Sequence, residues 1–306
     1  MPARVVFMGS PEFSLPSLRA LAENYEVVGV VTQPDRPAGR GKQLAAPPVK
    51  LLAQELGIPV IPPRRLREPE AMRQLREWAP EVIVVAAFGQ ILRQEVLDLP
   101  PKGCINVHAS LLPRWRGASP IQAAILHGDQ ETGVTIMLMD AGLDTGPILS
   151  QRSIPIGDDD TAATLNRKLS TFGAELLTET LPKYLEGELK PKPQPSAGVT
   201  TMSTLNKADG KLDPSEGAIA LERKVRAFTP WPGAFIEWKS APLKVHAAHT
   251  VNNKRGKPGQ HTEYQGLPSI ATVNGWLVLD VVQPAGKKQM SGVEFLRGAR
   301  DWATTN

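Results

Sequence analysis

An amide, an imidazole and a carboxylate occur at a spacing that could serve one reaction. Asn106 and His108 alternate with β-branched Ile105 and Val107, which favours a strand with both polar side chains on one face, their Cα atoms about 7 Å apart. Asp144 follows further along the chain. An imidazole can accept a proton from an attacking amine, a carboxylate can orient that ring, and an amide can donate to a developing oxyanion. The trio predicts acyl transfer to an amine without a covalent enzyme intermediate; a hydrogen-bonded core Asn and His is the open alternative.

Two other chemistries would use some of the same residues. Cys104 and His108 lie four residues apart on the predicted strand, about 13 Å, whereas an activated thiolate needs its base within about 3 Å. We therefore predict that Cys104 is a buried structural thiol. His127 and Asp140 could join His108 and Asp144 around a metal ion, but the close His/Cys spacing typical of zinc sites is missing. We predict no metal.

The bulk composition indicates a two-domain globular protein. The chain has 306 residues, 41% of them hydrophobic, and one cysteine. This length predicts two domains, and a lone cysteine excludes an intrachain disulfide and fits a reducing compartment. No apolar run approaches the roughly 20 residues of a membrane span, and no signal-peptide pattern precedes the first apolar run. We expect a cytoplasmic protein.

Positive charge is concentrated in the last third of the chain. Residues 206–306 contain 14 Lys or Arg and 9 Asp or Glu, whereas residues 1–205 contain 21 and 22. This asymmetry favours a module that holds a polyanion while chemistry takes place elsewhere. A solvated basic surface without a partner is the alternative.

The trio lies within a series of alternating strand-like and helix-like segments. This alternation predicts a Rossmann-like, mostly parallel sheet with helices on both faces, and such sheets bind ligands beyond the carboxyl ends of their strands. The predicted strands are 4–8, 27–31, 60–61, 82–87, 105–108 and 134–139, and the predicted helices are 15–23, 49–56, 71–78, 120–127 and 164–185.

A proline-rich segment separates this region from a second one. Pro191, Pro193 and Pro195 alternate with other residues, which favours an extended chain that cannot continue a helix. We predict a linker at 189–205 between domains 1–188 and 206–306. Short strands separated by turns then predict a small antiparallel OB-like β-barrel; they follow a helix at 221–228 and cover 234–238, 243–247, 270–273 and 276–281.

A basic loop follows the second predicted strand. It contains Arg36, Arg40 and Lys42 but departs from the phosphate-binding loop, because Arg36 stands at its first glycine position and Gln43 at its Ser/Thr position. Exposed basic loops of this kind bind phosphates of nucleic acids. An ordinary surface loop is the alternative.

The sequence resembles the methionyl-tRNA formyltransferases. The Asn-x-His and Asp signature alone would indicate only the wider family of 10-formyltetrahydrofolate-dependent formyltransferases. The basic loop and the second domain restrict the resemblance to the members that act on tRNA. The matching segments are 9–13, 32–42, 87–92, 103–117, 133–137, 142–146, 226–228, 230–232 and 283–288.

The resemblance implies roles for particular residues and partners. Asn106, His108 and Asp144 match the catalytic trio of the family. The implied donor is 10-formyltetrahydrofolate, the implied acceptor is initiator methionyl-tRNA, and the second domain would hold the acceptor stem of a monomeric enzyme. The implied folate contacts are Phe88, Gly89, Gln90, Ile91, Leu92, Ser110, Leu111, Leu112, Pro113, Asp140, Gly142 and Leu143, and the implied tRNA contacts are Arg36, Arg40 and Lys42.

Two positions depart from the family pattern. Phe88 stands where a tyrosine is usual, and Pro214 where a tryptophan often occurs. Neither belongs to the trio. A formyltransferase acting on a nucleotide-sugar amine or on glycinamide ribonucleotide, a non-enzymatic RNA-binding protein and a hydrolase that releases formate from the folate are the competing hypotheses.

Overall fold

The computed structural model describes residues 2–38, 43–252 and 256–304. The chain divides into two compact units. The first comprises Met1–Pro120, Glu131–Ile154 and Asn166–Met202, and the second comprises Ile121–Gln130, Pro155–Leu165 and Ser203–Asn306. The domain boundaries predicted at residues 188 and 206 stay a prediction, but residues 189–202 belong to the first unit.

Eleven strands and six helices are described up to residue 202. The strands are β1 (Arg4–Gly9), β2 (Glu26–Val31), β3 (Arg36–Ala38), β4 (Gln43–Ala45), β5 (Val60–Ile61), β6 (Val82–Ala86), β7 (Cys104–His108), β8 (Arg116–Gly117), β9 (Glu131–Leu138), β10 (Ile148–Pro155) and β11 (Thr201–Met202). The helices are α1 (Leu15–Asn24), α2 (Pro48–Glu55), α3 (Pro69–Trp78), α4 (Gln94–Leu97), α5 (Pro120–His127) and α6 (Ala162–Leu185).

A seven-stranded sheet forms the centre of the first unit. Its strand order is β10-β9-β7-β6-β1-β2-β5, and β5, β2, β1, β6 and β7 run parallel to their neighbours in that series. The strand order reverses between β1 and β6, so a crevice is expected beyond their carboxyl ends. All five residues of β6 are buried, as expected for a central parallel strand covered on both faces.

Helix α3 begins and ends on local sequence signals and packs closely against β2. α3 begins with Pro69, which is favourable at the first helical position, and buries one side that includes Leu75 and Trp78. It ends at Ala79 with a left-handed φ of 42°. The ring of Trp78 lies so close to the β2 backbone that a Cβ at Gly29 would be 2.4 Å from it. Glycine at this position therefore permits the helix to pack on the sheet.

The second unit contains an antiparallel half-barrel. Its strands are β12 (Ala234–Trp238), β13 (Ala241–Val251), β14 (His261–Tyr264), β15 (Leu267–Ala271), β16 (Trp276–Gln283) and β17 (Met290–Ser291), with helices α7 (Ala218–Ala227) and α8 (Gly292–Gly298). They are paired in the order β12-β13-β16-β15-β14, with β17 on β16. Its core includes Trp302, whose indole donates to the carbonyl oxygen of Thr262 at 2.7 Å.

The predicted fold class is confirmed. The sheet is mostly parallel, and β9 runs antiparallel to β7; the sequence does not indicate which strand is antiparallel, because buried apolar runs look alike in both arrangements. β10 was not predicted, because half of its residues are polar and interrupt the apolar pattern. No helix within the described residues has the length and apolar character needed to cross a membrane.

Candidate active site

The predicted trio converges at the carboxyl end of β7. His108 is the last residue of that strand and is 6% exposed, and its Nδ1 lies 3.7 Å from Oδ2 of Asp144. Asn106 Nδ2 donates to Oδ1 of the same carboxylate at 3.4 Å. The period of two along β7 therefore brings the amide and the imidazole to one carboxylate, as the spacing predicts.

The hydrogen bonds of His108 determine its tautomer. Its Nε2 lies 3.1 Å from the main-chain carbonyl oxygen of Trp115. A carbonyl oxygen can only accept, so Nε2 carries a hydrogen. Nδ1 faces the carboxylate of Asp144 at a distance too long for a direct hydrogen bond. Nδ1 is therefore the ring atom at which a proton can be added or removed.

The carboxylate of Asp144 is oriented by the main chain. Gly117 N donates to Oδ2 at 2.8 Å. Asp144 itself has a left-handed φ of 51°, which an L residue adopts only when its surroundings hold it there. The preceding turn is closed by Asp140, whose Oδ1 accepts from Gly142 N at 3.0 Å and from Thr145 Oγ1 at 2.6 Å. Asp140 thus shapes the turn that presents Asp144.

The segment from Ser110 to Pro113 is held by β9. Thr135 Oγ1 donates to Ser110 O at 2.6 Å and accepts from Leu112 N at 3.1 Å. Ser110 and Leu112 are buried, whereas Leu111 and Pro113 are partly buried. The side chains of Leu111 and Pro113 can therefore contact a ligand. Ser110 and Leu112 can contribute only through their main-chain atoms.

The segment from Phe88 to Leu92 leaves the sheet after β6. Phe88 and Leu92 are core residues at 2% and 4% exposure, whereas Ile91 is 87% exposed. Gln90 is used structurally, because its Oε1 accepts from Leu66 N at 2.8 Å and its Nε2 donates to Pro63 O at 3.1 Å. Ile91 and the 62% exposed Leu143 are the apolar side chains of the predicted folate set that face solvent.

A cavity of about 270 Å³ adjoins this segment. Its lining includes Ile91 and three arginines, Arg65, Arg67 and Arg93, with the acidic Glu95. Sequence analysis missed these arginines, because they come from two segments that only the fold brings together. The cavity combines an apolar wall with cationic groups, which suits a ligand that has both a ring system and carboxylates.

The predicted tRNA contacts are described only in part. Arg36 is exposed at the start of β3, and its Nη2 donates to Gln33 Oε1 at 2.8 Å. Gln33 Nε2 in turn donates to the carbonyl oxygen of Phe88 at 3.1 Å, so the segment just before β3 is tied to the segment after β6. Arg40 and Lys42 lie outside the described residues.

Burial determines whether the thiol of Cys104 can act as a nucleophile. Cys104 is 1% exposed, and burial together with the charge of Asp98 raises the pKa of its thiol to about 12. A thiol with this pKa is not a nucleophile near neutrality. Within the described residues, no group of three or more His, Cys, Asp or Glu side chains could hold a metal ion.

Comparison with known proteins identifies the class of protein. The formyl transferase family matches residues 3–181, and the formyl transferase C-terminal domain matches residues 204–300. The sugar 3N-formyl transferase WlaRD shares the fold, with a TM-score of 0.69 at 18% identity over 94% of this chain and 100% of its own. HypX from Aquifex aeolicus shares it with a TM-score of 0.63 at 18% identity, over 97% of this chain and 47% of its own. Fold and family matches together define a formyltransferase.

Closer relatives narrow the class. A methionyl-tRNA formyltransferase of Myxococcus xanthus is 51% identical over 298 residues, 96% of this chain and 95% of its own. Another from Roseiflexus sp. is 48% identical over 304 residues, 98% of this chain and 94% of its own. The chain belongs to the methionyl-tRNA formyltransferase family.

Proposed function

We propose that the chain transfers the formyl group of 10-formyltetrahydrofolate to the amino group of initiator methionyl-tRNA. The observation that carries this is the convergence of Asn106, His108 and Asp144 at the carboxyl end of β7, in a chain about half identical to named methionyl-tRNA formyltransferases over nearly its whole length.

The proposed reaction proceeds by direct attack. The amine nitrogen forms a bond to the formyl carbon, the bond from that carbon to N10 breaks, and the proton lost by the amine ends on N10. Asn106 stabilises the negative charge on the formyl oxygen, a contribution worth about 10²–10³ in kcat for one such donor. His108 carries the proton at Nδ1, because Nε2 is already a donor to the Trp115 carbonyl. Asp144, whose Oδ2 lies 3.7 Å from Nδ1, offsets the positive charge of the ring when the ring is protonated.

The donor would be held by apolar and cationic groups. The exposed side chains of Ile91 and Leu143 offer apolar contacts to a pterin ring. Arg65, Arg67 and Arg93 line the cavity beside Ile91 and offer charge-assisted hydrogen bonds to the carboxylates at the other end of the folate.

The tRNA would be held by basic residues in both parts of the chain. We propose that Arg36, Arg40 and Lys42 engage the acceptor end, and that the basic C-terminal segment 206–306, with 14 Lys or Arg against 9 Asp or Glu, holds the acceptor stem. A monomer located in the cytoplasm stays a prediction, which sedimentation and cell fractionation would test.

The decisive experiment compares acceptors with 10-formyltetrahydrofolate as donor. Formyl transfer to initiator methionyl-tRNA, with less to the elongator form, is expected. Transfer to a nucleotide-sugar amine or to glycinamide ribonucleotide instead, or formate release with no acceptor present, would overturn the proposal.

A further inference from the structure

We propose that the segment 192–202, here called the strap, contains two positioning residues for the reaction, Gln194 and Thr200. The inference rests on the proposed roles of Asp144 and His108. Within 192–202 Gln194, Thr200 and Met202 are partly buried, and the others are exposed. Met202 belongs to β11 at the end of the strap, so between its ends the strap meets the site through two polar side chains.

Gln194 holds the loop that carries the catalytic carboxylate. Its Nε2 donates to the carbonyl oxygens of Asp144 at 2.7 Å and Gly146 at 2.8 Å. Its Oε1 accepts from Arg116 Nη2 at 2.7 Å and Nε at 3.2 Å. Both amide hydrogens and the amide oxygen are thus used, and the reverse orientation of the amide would place donors against donors. Because Asp144 has a left-handed backbone, bonds to its own carbonyl and to that of Gly146 oppose relaxation of the loop.

Thr200 holds the segment that fixes the tautomer of His108. Its Oγ1 accepts from Trp115 N at 2.8 Å, and its carbonyl oxygen accepts from Arg116 N at 2.9 Å. The peptide between Trp115 and Arg116 is therefore held on both sides, because its own carbonyl oxygen accepts from His108 Nε2 at 3.1 Å. Displacement of Thr200 would move the acceptor that sets the imidazole.

The remainder of the strap keeps these two contacts in register. Lys192 and Ile148 exchange main-chain hydrogen bonds of 2.7 and 2.8 Å. At the other end, β11 pairs in parallel with β8, and Met202 O accepts from Ala118 N at 3.1 Å. Gly117, in β8, donates to the carboxylate of Asp144. The strap is therefore anchored at both ends, with Gln194 and Thr200 between the anchors.

Isosteric variants separate this role from general stability. Gln194→Glu keeps the shape and the acceptor oxygens toward Arg116 but loses both donor hydrogens, and Gln194→Met loses all polar contacts. Thr200→Val loses the acceptor at constant shape, whereas Thr200→Ser keeps it. Ser196→Ala, at an exposed position of the strap, is the control.

The measurement is single-turnover formyl transfer to methionyl-tRNA together with KM for both substrates and the thermal midpoint. We expect Gln194→Glu, Gln194→Met and Thr200→Val to lose roughly tenfold to a hundredfold in rate, as positioning errors do. KM values should stay within about threefold, as for interactions used only in the transition state. Thr200→Ser and Ser196→Ala should retain the wild-type rate.

Several outcomes would overturn the inference. Wild-type rates in Gln194→Glu and Thr200→Val would do so, as would a loss in Thr200→Ser equal to that in Thr200→Val, or losses that merely follow the thermal midpoint. If a Gln194 variant does not fold, the comparison of Thr200→Val with Thr200→Ser still tests the inference. An inactive wild-type protein would refute the proposed function instead, so the two failures are distinguishable.

Discussion

Gly117 offers a quantitative test of how strongly the reaction rate depends on the position of β8. A Cβ at this position would lie 2.4 Å from the carbonyl oxygen of Met202, where ordinary contact begins at 3.4 Å. Gly117→Ala must therefore separate β8 from β11 by about 1 Å, and a misplacement of that size can cost about 10²-fold in rate. The φ of +108° adds about 1–3 kcal/mol of backbone strain for alanine.

Gly187 provides the matched control. Its φ is +81°, and a Cβ there would meet nothing within 4 Å, so Gly187→Ala introduces backbone strain without the collision. Single-turnover formylation and thermal unfolding should be measured for both variants. We expect both to melt at a lower temperature, and only Gly117→Ala to lose about 10²-fold in rate. Equal rates in the two variants would refute the reasoning, because the 2.8 Å bond from Gly117 N to Asp144 would then be irrelevant to chemistry.

Four further predictions address the donor, the acceptor and the thiol. Asn106→Ala should lower kcat by about 10²–10³-fold with little change in KM for methionyl-tRNA, and unchanged turnover would defeat its assignment. Arg93→Ala should raise KM for the folate donor while leaving that for the tRNA unaltered; the reverse pattern would show that the cavity has been misassigned. Arg40→Ala should raise KM for methionyl-tRNA and leave folate binding unchanged. A fall in folate affinity would contradict the assignment of this loop to the tRNA. Cys104, with its thiol pKa raised to about 12 by burial, should resist a thiol reagent at pH 8 until the protein unfolds; rapid labelling of the native protein would contradict this.

The elements that position the trio were predictable because their signals are local. The uninterrupted apolar residues of β6 indicate a strand covered on both faces. In β7 the alternation of Asn106 and His108 with branched residues predicts both the strand and the shared face. These signals depend on neighbours in sequence, so they survive without any knowledge of tertiary contacts.

The support of the site was not predictable in the same way. Gln194 contacts Asp144, fifty residues earlier in the chain, and the prolines around it indicate only an extended segment. Arg65 and Arg93 likewise meet across one cavity from different segments. Sequence periodicity does not predict such contacts, because they form between segments that are distant in sequence and are brought together only by the fold. The direction of β9 relative to β7 could not be predicted for the same reason.

The acceptor opposite His108 Nε2 belongs to the polypeptide backbone. A side-chain partner can be lost in one mutation, whereas a main-chain carbonyl persists whatever residue occupies position 115. The path of the main chain thus determines which nitrogen of the His108 ring gains and loses a proton. A substitution at position 115 does not remove this carbonyl. An engineer who wished to exchange the roles of the two ring nitrogens would have to replace the imidazole or reroute the loop.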